Sequence, residues 1–200
     1  GTEIGGVTWN ATGGHDGKGA YEFDGIDDYV NVSDSSSLDI DYNSLTLSAW
    51  IKPRYCTGAG DGRQTVLTKI DAYYFNLESG TCKPSFYWYD LSSPGYHTSD
   101  VAVPTGEWSF VVVTYDGVSD VIRIYINGTQ TKEVTGVSGD GRESNNPLKV
   151  GAYPGPGRYF NGTIDEVGIY NRALSADQVY ALYQNRTDEI VSAETSRGEN

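Results

Sequence analysis

Phe160-Asn161-Gly162-Thr163-Ile164-Asp165-Glu166-Val167-Gly168-Ile169-Tyr170-Asn171 reads as an Asn-Gly turn entering a strand, with branched residues spaced along it and two acids inside it. Near the other end, Tyr21-Glu22-Phe23-Asp24-Gly25-Ile26-Asp27-Asp28-Tyr29-Val30 also joins a strand pattern to carboxylates. Between them lies Gly106-Glu107-Trp108-Ser109-Phe110-Val111-Val112-Val113-Thr114-Tyr115-Asp116-Gly117. Arg172-Ala173-Leu174-Ser175-Ala176-Asp177-Gln178 follows.

Working outward, strand-like runs bounded by Gly, Pro, Asn and Asp fall at 19–24, 28–33, 45–53, 65–70, 72–79, 85–91, 99–104, 107–116, 121–127, 130–135, 148–153 and 163–170. Many short strands with regular turn signals predict a two-sheet antiparallel β-sandwich, an all-β fold. Leu45, Leu47, Ala49 and Ile51 share one face of their strand, Thr46, Ser48 and Trp50 the other, so one core side is expected. In 121–126 three isoleucines point inward and Arg123 and Tyr125 outward. Asn127-Gly128 then favours a type I′ hairpin turn. A single short helix is predicted over 175–186. Ser175 and Gln178 form a capping-box pattern, and Val179, Leu182 and Tyr183 make an apolar stripe for packing on the sandwich edge.

Taken together, the ordered motifs resemble a laminin-G-like jelly roll of the concanavalin A-like lectin/glucanase superfamily, from about Gly19 to Tyr183. The expected division is one domain over 1–186 and a polar linker or tail over 187–200. The fold hosts lectins, enzymes and adhesins alike, so function has to come from the site.

Fourteen basic against 27 acidic residues give a net charge of −13, which argues against nucleic acid and anionic membrane surfaces as partners. No stretch approaches the roughly 20 apolar residues of a membrane helix, and Gly1 opens directly into polar sequence, as expected of a mature or excised piece of a larger chain. Cys56 and Cys82 sit in no C-x-x-C pattern. A disulfide is the first reading and two free thiols the alternative. Five N-x-S/T sequons, at Asn10, Asn31, Asn127, Asn161 and Asn185, fit an extracellular or cell-surface protein.

Hard oxygen ligands in the two terminal motifs point to calcium. Strand parity places Asp165 on the face of Val167 and Ile169, toward the interior, where a lone carboxylate is costly unless neutralised. Asp24 would meet it if the first and last strands pair. The resemblance implies the same structural Ca²⁺, and it carries over to Asp24 and Asp165 only. The alternative is that both acids cap turns. Asp27, Asp28 and Glu166 read as solvated turn charges.

For a glycan, the chain offers rings beside hydrogen-bonding groups. If Phe75 and Leu77 face the core, Tyr74 and Asn76 face outward. If Phe86 and Trp88 face the core, Tyr87 and Tyr89 join them, and Tyr96 and His97 follow in a loop opened by Pro94-Gly95. Arg158 lies in a second candidate loop, Tyr153-Pro154-Gly155-Pro156-Gly157-Arg158-Tyr159. Ordinary cross-strand packing is the competing account for each ring. Tyr55 and Arg54 form a third patch.

Glycanases on this fold carry a Glu-x-Asp-x-Glu-like motif, and Glu22-Phe23-Asp24-Gly25-Ile26 lacks the second glutamate. Neither histidine sits in a nucleophile-linked motif. The sequence therefore predicts a non-catalytic, calcium-stabilised carbohydrate-binding module that brings a larger secreted or cell-surface protein to a polysaccharide. The alternative is a structural or adhesive spacer, or a protein-binding domain. A glycanase or polysaccharide lyase stands third.

Overall fold

The structure is a computed structural model that describes residues 1–40, 44–57, 61–93, 95–142, 144–153, 155 and 157–185. The expected linker or tail at 187–200 lies outside them, as do Pro94, Pro154 and Pro156 of the two candidate loops.

In chain order the strands are β1 Thr2–Ile4, β2 Thr8–Asn10, β3 Ala20–Asp24, β4 Tyr29–Val32 and β5 Ser44–Pro53. Next come β6 Gln64–Lys69, β7 Tyr73–Leu77, β8 Pro84–Trp88, β9 His97–Thr98 and β10 Ser109–Asp116. The last are β11 Val121–Ile126, β12 Thr129–Thr135, β13 Leu148–Val150 and β14 Asn161–Tyr170, followed by helix α1, Ala176–Tyr183. They form two seven-stranded antiparallel sheets packed as a sandwich. The first runs β1-β4-β13-β6-β7-β8-β9 and the second β12-β11-β10-β5-β14-β3-β2.

Alternation builds the main core. Leu45, Leu47, Ala49 and Ile51 meet Val111, Val113, Ile122, Ile124 and Ile126 from the second sheet, and Tyr73, Phe75, Leu77, Phe86 and Trp88 from the first. Asn127 (φ 51°) and Gly128 (φ 76°) take the two left-handed positions of the expected hairpin turn. The expected strand at 99–104 is absent. Only His97–Thr98 pairs with β8, and beyond it the Ser99 hydroxyl donates to the Val101 carbonyl at 2.8 Å, replacing ladder bonds with a local turn. The edge strands β1 and β2, too short to show a period, were not expected.

The outer face of β5 is buried as well, contrary to the one-sided expectation. Trp50, Phe110, Val112 and Tyr125 form a second apolar cluster with Leu174 and Val179, joined by Tyr170, Leu182 and Tyr183. Helix α1 thus lies on a sheet face and not on an edge, and it covers Tyr125, which parity placed outward. Ser175 and Gln178 close the expected capping box. The helix ends at Tyr183, short of the expected Arg186, and Asn185 turns left-handed (φ 56°).

Cys56 and Cys82 are joined in a disulfide with Cα atoms 5.2 Å apart. The bond ties the segment after β5 to the β7–β8 turn.

Candidate functional site

The outer face of the first sheet is set by β7 and β8. Because Tyr73, Phe75 and Leu77 enter the core, Tyr74 and Asn76 point out. Because Phe86 and Trp88 enter it, Tyr87 points out beside them. Tyr74 and Tyr87 are direct cross-strand partners and their rings stack at 5.6 Å. Tyr89 stands edge-on to both, at 5.6 Å from Tyr74 and 4.9 Å from Tyr87. Tyr96 adds a ring 5.3 Å from Tyr87.

The two loops that sequence treated as separate candidates close on one surface. Tyr153 packs edge-on against Tyr74 at 5.3 Å, and Arg158 Nη1 donates to the Tyr96 hydroxyl at 3.1 Å. Arg158 also pairs with Asp61, which holds Arg63, and Arg63 lies 4.1 Å over the Tyr96 ring. Arg63 is paired in turn with Glu78, and Arg142, bound to Asp90, lies 5.2 Å from the Tyr89 ring. The Asp61 carboxyl is held below its ordinary range by these partners, against the opposing effect of its own burial. Asp61, Arg63 and Arg142 come from loops and strand ends whose sequence carries no period, which is why they escaped the sequence reading.

Tyr74 and Asn76 are outward in parity but not open to solvent. Tyr74 is 3% exposed and Asn76 fully buried, with its Oδ1 accepting from Thr65 Oγ1 at 2.9 Å. They form the floor, because the rings and arginines from neighbouring strands and loops close over them. Tyr87, Tyr89, Tyr96, His97 and Arg158 remain partly exposed. Burial pushes the Tyr74 phenol up and the His97 imidazole down. His97, however, sits on β9 opposite the core residue Phe86 and so takes the inward parity, near Lys132 of the second sheet; it does not join the outer-face rings as expected.

Asp24 and Asp165 do not share a site. Strands β3 and β14 do pair, but Asn161 stands opposite Asp24, and Asp165 falls at the far end of the pairing, beyond the Ile164–Tyr21 partners. Nor does Asp165 face the interior. Between Asp165, opposite Trp50, and Gly168, opposite Ser48, two residues of β14 stand against one of β5, with Glu166 left-handed (φ 46°). This bulge inverts the parity, so Val167 and Ile169 face the core while Asp165 lies on the Trp50 side. There its Oδ2 accepts the His15 backbone N–H at 3.1 Å and lies 3.1 Å from His15 Nδ1, and the His15 ring stacks on Trp50 at 4.1 Å.

Among the described residues the acids instead form two groups, His15–Asp16–Asp165 and Asp24–Asp27–Asp28, each with possible ligand atoms within 4.8 Å of one another. In the first, Asp16 pairs with Lys18 at 2.7 Å and Asp165 Oδ2 lies 3.1 Å from His15 Nδ1, which brings a nitrogen donor into the group. The second has only oxygen donors, and Asp28 is 3% exposed, not the solvated turn charge that sequence suggested. Burial, then the neighbouring Asp24 and Asp27, push its carboxyl up, against the bond it accepts from the Asp24 N–H. The Asp24–Asp27–Asp28 donor set is the one suited to calcium.

Tyr55, of the third patch, accepts from Asn161 Nδ2 at 2.9 Å, and Arg54 pairs with Glu22 at 3.4 Å, so this patch is a separate edge contact. Among the described residues no helix is long and apolar enough to cross a membrane.

No protein among the curated sequences matches the chain. Solved structures that share its fold include domain 4 of AbnA, a GH43 extracellular arabinanase from Geobacillus stearothermophilus, in complex with arabinotriose. It is 22% identical with a TM-score of 0.66, over 90% of this chain and 82% of that one. The binding domain of Paraclostridial Mosquitocidal Protein 1 is 17% identical with a TM-score of 0.69, over 90% of this chain and 46% of that one. A putative carbohydrate binding protein from Bacteroides ovatus is 19% identical with a TM-score of 0.63, over 80% and 45%. The chain therefore spans about half the length of the last two, and identities this low show a shared fold alone. A family profile described as the concanavalin A-like lectin/glucanases superfamily matches residues 24–180, which takes in the sandwich from the end of β3 into α1. With that match over most of its length, the chain belongs to the Laminin_G_3 family of this superfamily.

Proposed function

We propose that the domain is a non-catalytic carbohydrate-binding module of a larger secreted or cell-surface protein, stabilised by calcium, and that it binds its glycan on the outer face of the first sheet. The observation that carries this reading is the half-buried trio Tyr87, Tyr89 and Tyr96, backed by Tyr74 and flanked by Arg63, Arg142 and Arg158. Ring faces accept the apolar C–H face of a sugar, and fixed guanidinium groups donate to its hydroxyls. The rings already pack on one another and each arginine already has a carboxylate partner, so little side-chain entropy is lost on binding. That fits a module that binds without reshaping itself. The arabinotriose bound to the arabinanase domain and the name of the Bacteroides protein agree with this class of ligand. The acidic chain favours neutral over strongly anionic polysaccharides.

Retention on immobilised polysaccharides tests the reading. The wild-type domain should be retarded by at least one neutral glycan, and Tyr87→Ala with Tyr89→Ala should abolish the retardation. Unchanged retention in the double variant would sink the site.

The second reading, a structural or adhesive spacer, draws on the burial of Tyr74 and Asn76, which removes two of the expected contacts from reach. A wild-type domain retained by no glycan would favour it.

A further inference from the structure

We propose that Asp24, Asp27 and Asp28 hold a single calcium ion that clips the two sheets together at their edge. This location rests on the calcium reading above but is independent of the glycan site.

The turn that carries the acids joins β3 of the second sheet to β4 of the first. Facing it, the Gly5–Gly6 turn joins β1 of the first sheet to β2 of the second. The two crossings touch. A Cβ on Gly5 would lie 2.4 Å from the Asp27 carbonyl oxygen, and one on Gly6 would lie 3.4 Å from Asp28 Oδ1. Glycine at both positions, each with positive φ, lets this backbone close over Asp28.

Closure leaves an electrostatic debt. Asp28 Oδ2 accepts the Asp24 backbone N–H at 2.9 Å, but Oδ1 is buried and has no hydrogen-bond partner. Asp24 Oδ1 accepts the Ile26 N–H at 2.7 Å, and its carboxylate lies against that of Asp28. Among the described residues, none of the three carboxylates has a Lys, Arg or His partner. Arg54, which reaches the adjoining Phe23 carbonyl at 3.5 Å, pairs with Glu22. Removing a carboxylate from water costs several kcal/mol unless it is paired or bound to a metal, and two further acids within 4.8 Å add like-charge repulsion.

A divalent cation resolves all three. The donors are hard oxygens, the preference of calcium, and the exposed Asp24 and Asp27 leave room for waters to complete a shell of six to eight. Magnesium, which demands near-ideal octahedral geometry, suits three acids on one turn less well. The competing account is that Asp28 stays a neutral carboxylic acid and no ion is needed.

Calorimetric titration of the metal-stripped chain with CaCl2, paired with melting curves in CaCl2 and in chelator, tests the location. The wild type should bind one ion with a Kd of about 10⁻⁴–10⁻³ M, the range of extracellular modules, and should melt several degrees lower in chelator. Asp28→Asn, nearly isosteric, should lose both the heat and the calcium-dependent shift. Asp27→Asn, an exposed change that the fold tolerates, should weaken binding about tenfold, and Asp165→Asn should leave it unchanged. Binding that survives Asp28→Asn but is lost in Asp165→Asn would overturn the location and keep the calcium reading. A wild type that binds no calcium would overturn both, whatever glycan it retains.

Discussion

The hydroxyls of Tyr74 and Tyr89 meet at 3.1 Å, yet the first ring is buried and the second is half exposed. One is floor and the other wall. Tyr74→Ala should therefore lose about 3–5 kcal/mol of stability, as buried aromatic truncations do. Tyr89→Ala should cost far less and act on glycan retention instead. Urea denaturation of the two variants beside affinity electrophoresis gives both readouts, and equal loss of stability would contradict the division.

Arg158 ties the loop that follows β13 to the Tyr96 loop. It donates to Tyr96, pairs with Asp61 and covers the Tyr153 ring at 4.7 Å. Lysine carries the charge but cannot make these contacts together, because it lacks the planar fork. Arg158→Lys should lower glycan affinity about tenfold, close to the effect of Arg158→Ala. Stability should fall by less than about 1 kcal/mol in either, since the ion pair is partly solvated.

The Cys56–Cys82 bond closes a loop with a sequence separation of 26 and fixes the β7–β8 turn. Loop-closure entropy for a ring of this size is worth roughly 3–4 kcal/mol. The Cys56→Ser, Cys82→Ser double variant should lose about that much in urea denaturation. A reductant should lower the wild-type melting temperature and leave the variant unmoved.

Legibility followed periodicity. Leu45, Leu47, Ala49 and Ile51 were assigned to the core by a period of two, and Asn127-Gly128 marked its turn, because both signals are local. The misplacements were long-range. Asp165 changed face because a bulge, which needs β5 alongside to be defined, shifted the parity after it. Trp50 and Tyr125 were outward by alternation yet buried, because a helix some 50 residues or more along the chain covers them. Tyr74 and Asn76 followed the same pattern under their loops. Asp28 was read as a turn charge because the Gly5–Gly6 backbone that roofs it is distant in sequence. The tyrosines of the candidate surface were legible because strands β7 and β8 alternate cleanly. Their arginine partners were not, since loop residues carry no period.

His97 supplies a pH signature. Burial, reinforced by nearby Lys132 and opposed by a backbone hydrogen bond at Ser93, lowers its pKa from the ordinary 6.5. The folded state thus resists the proton that the unfolded chain accepts, so its contribution is intact above pH 6.5 and is lost as pH falls toward the lower folded value. Over the same interval the buried Asp28 carboxyl, which is pushed up, also takes part, so the His97 share is read from the variant and not from the wild type alone. Urea midpoints measured at about pH 7.5 and 5.5 should fall between the two for the wild type, and His97→Gln should flatten the difference. An equal drop in the variant would place the sensitivity elsewhere.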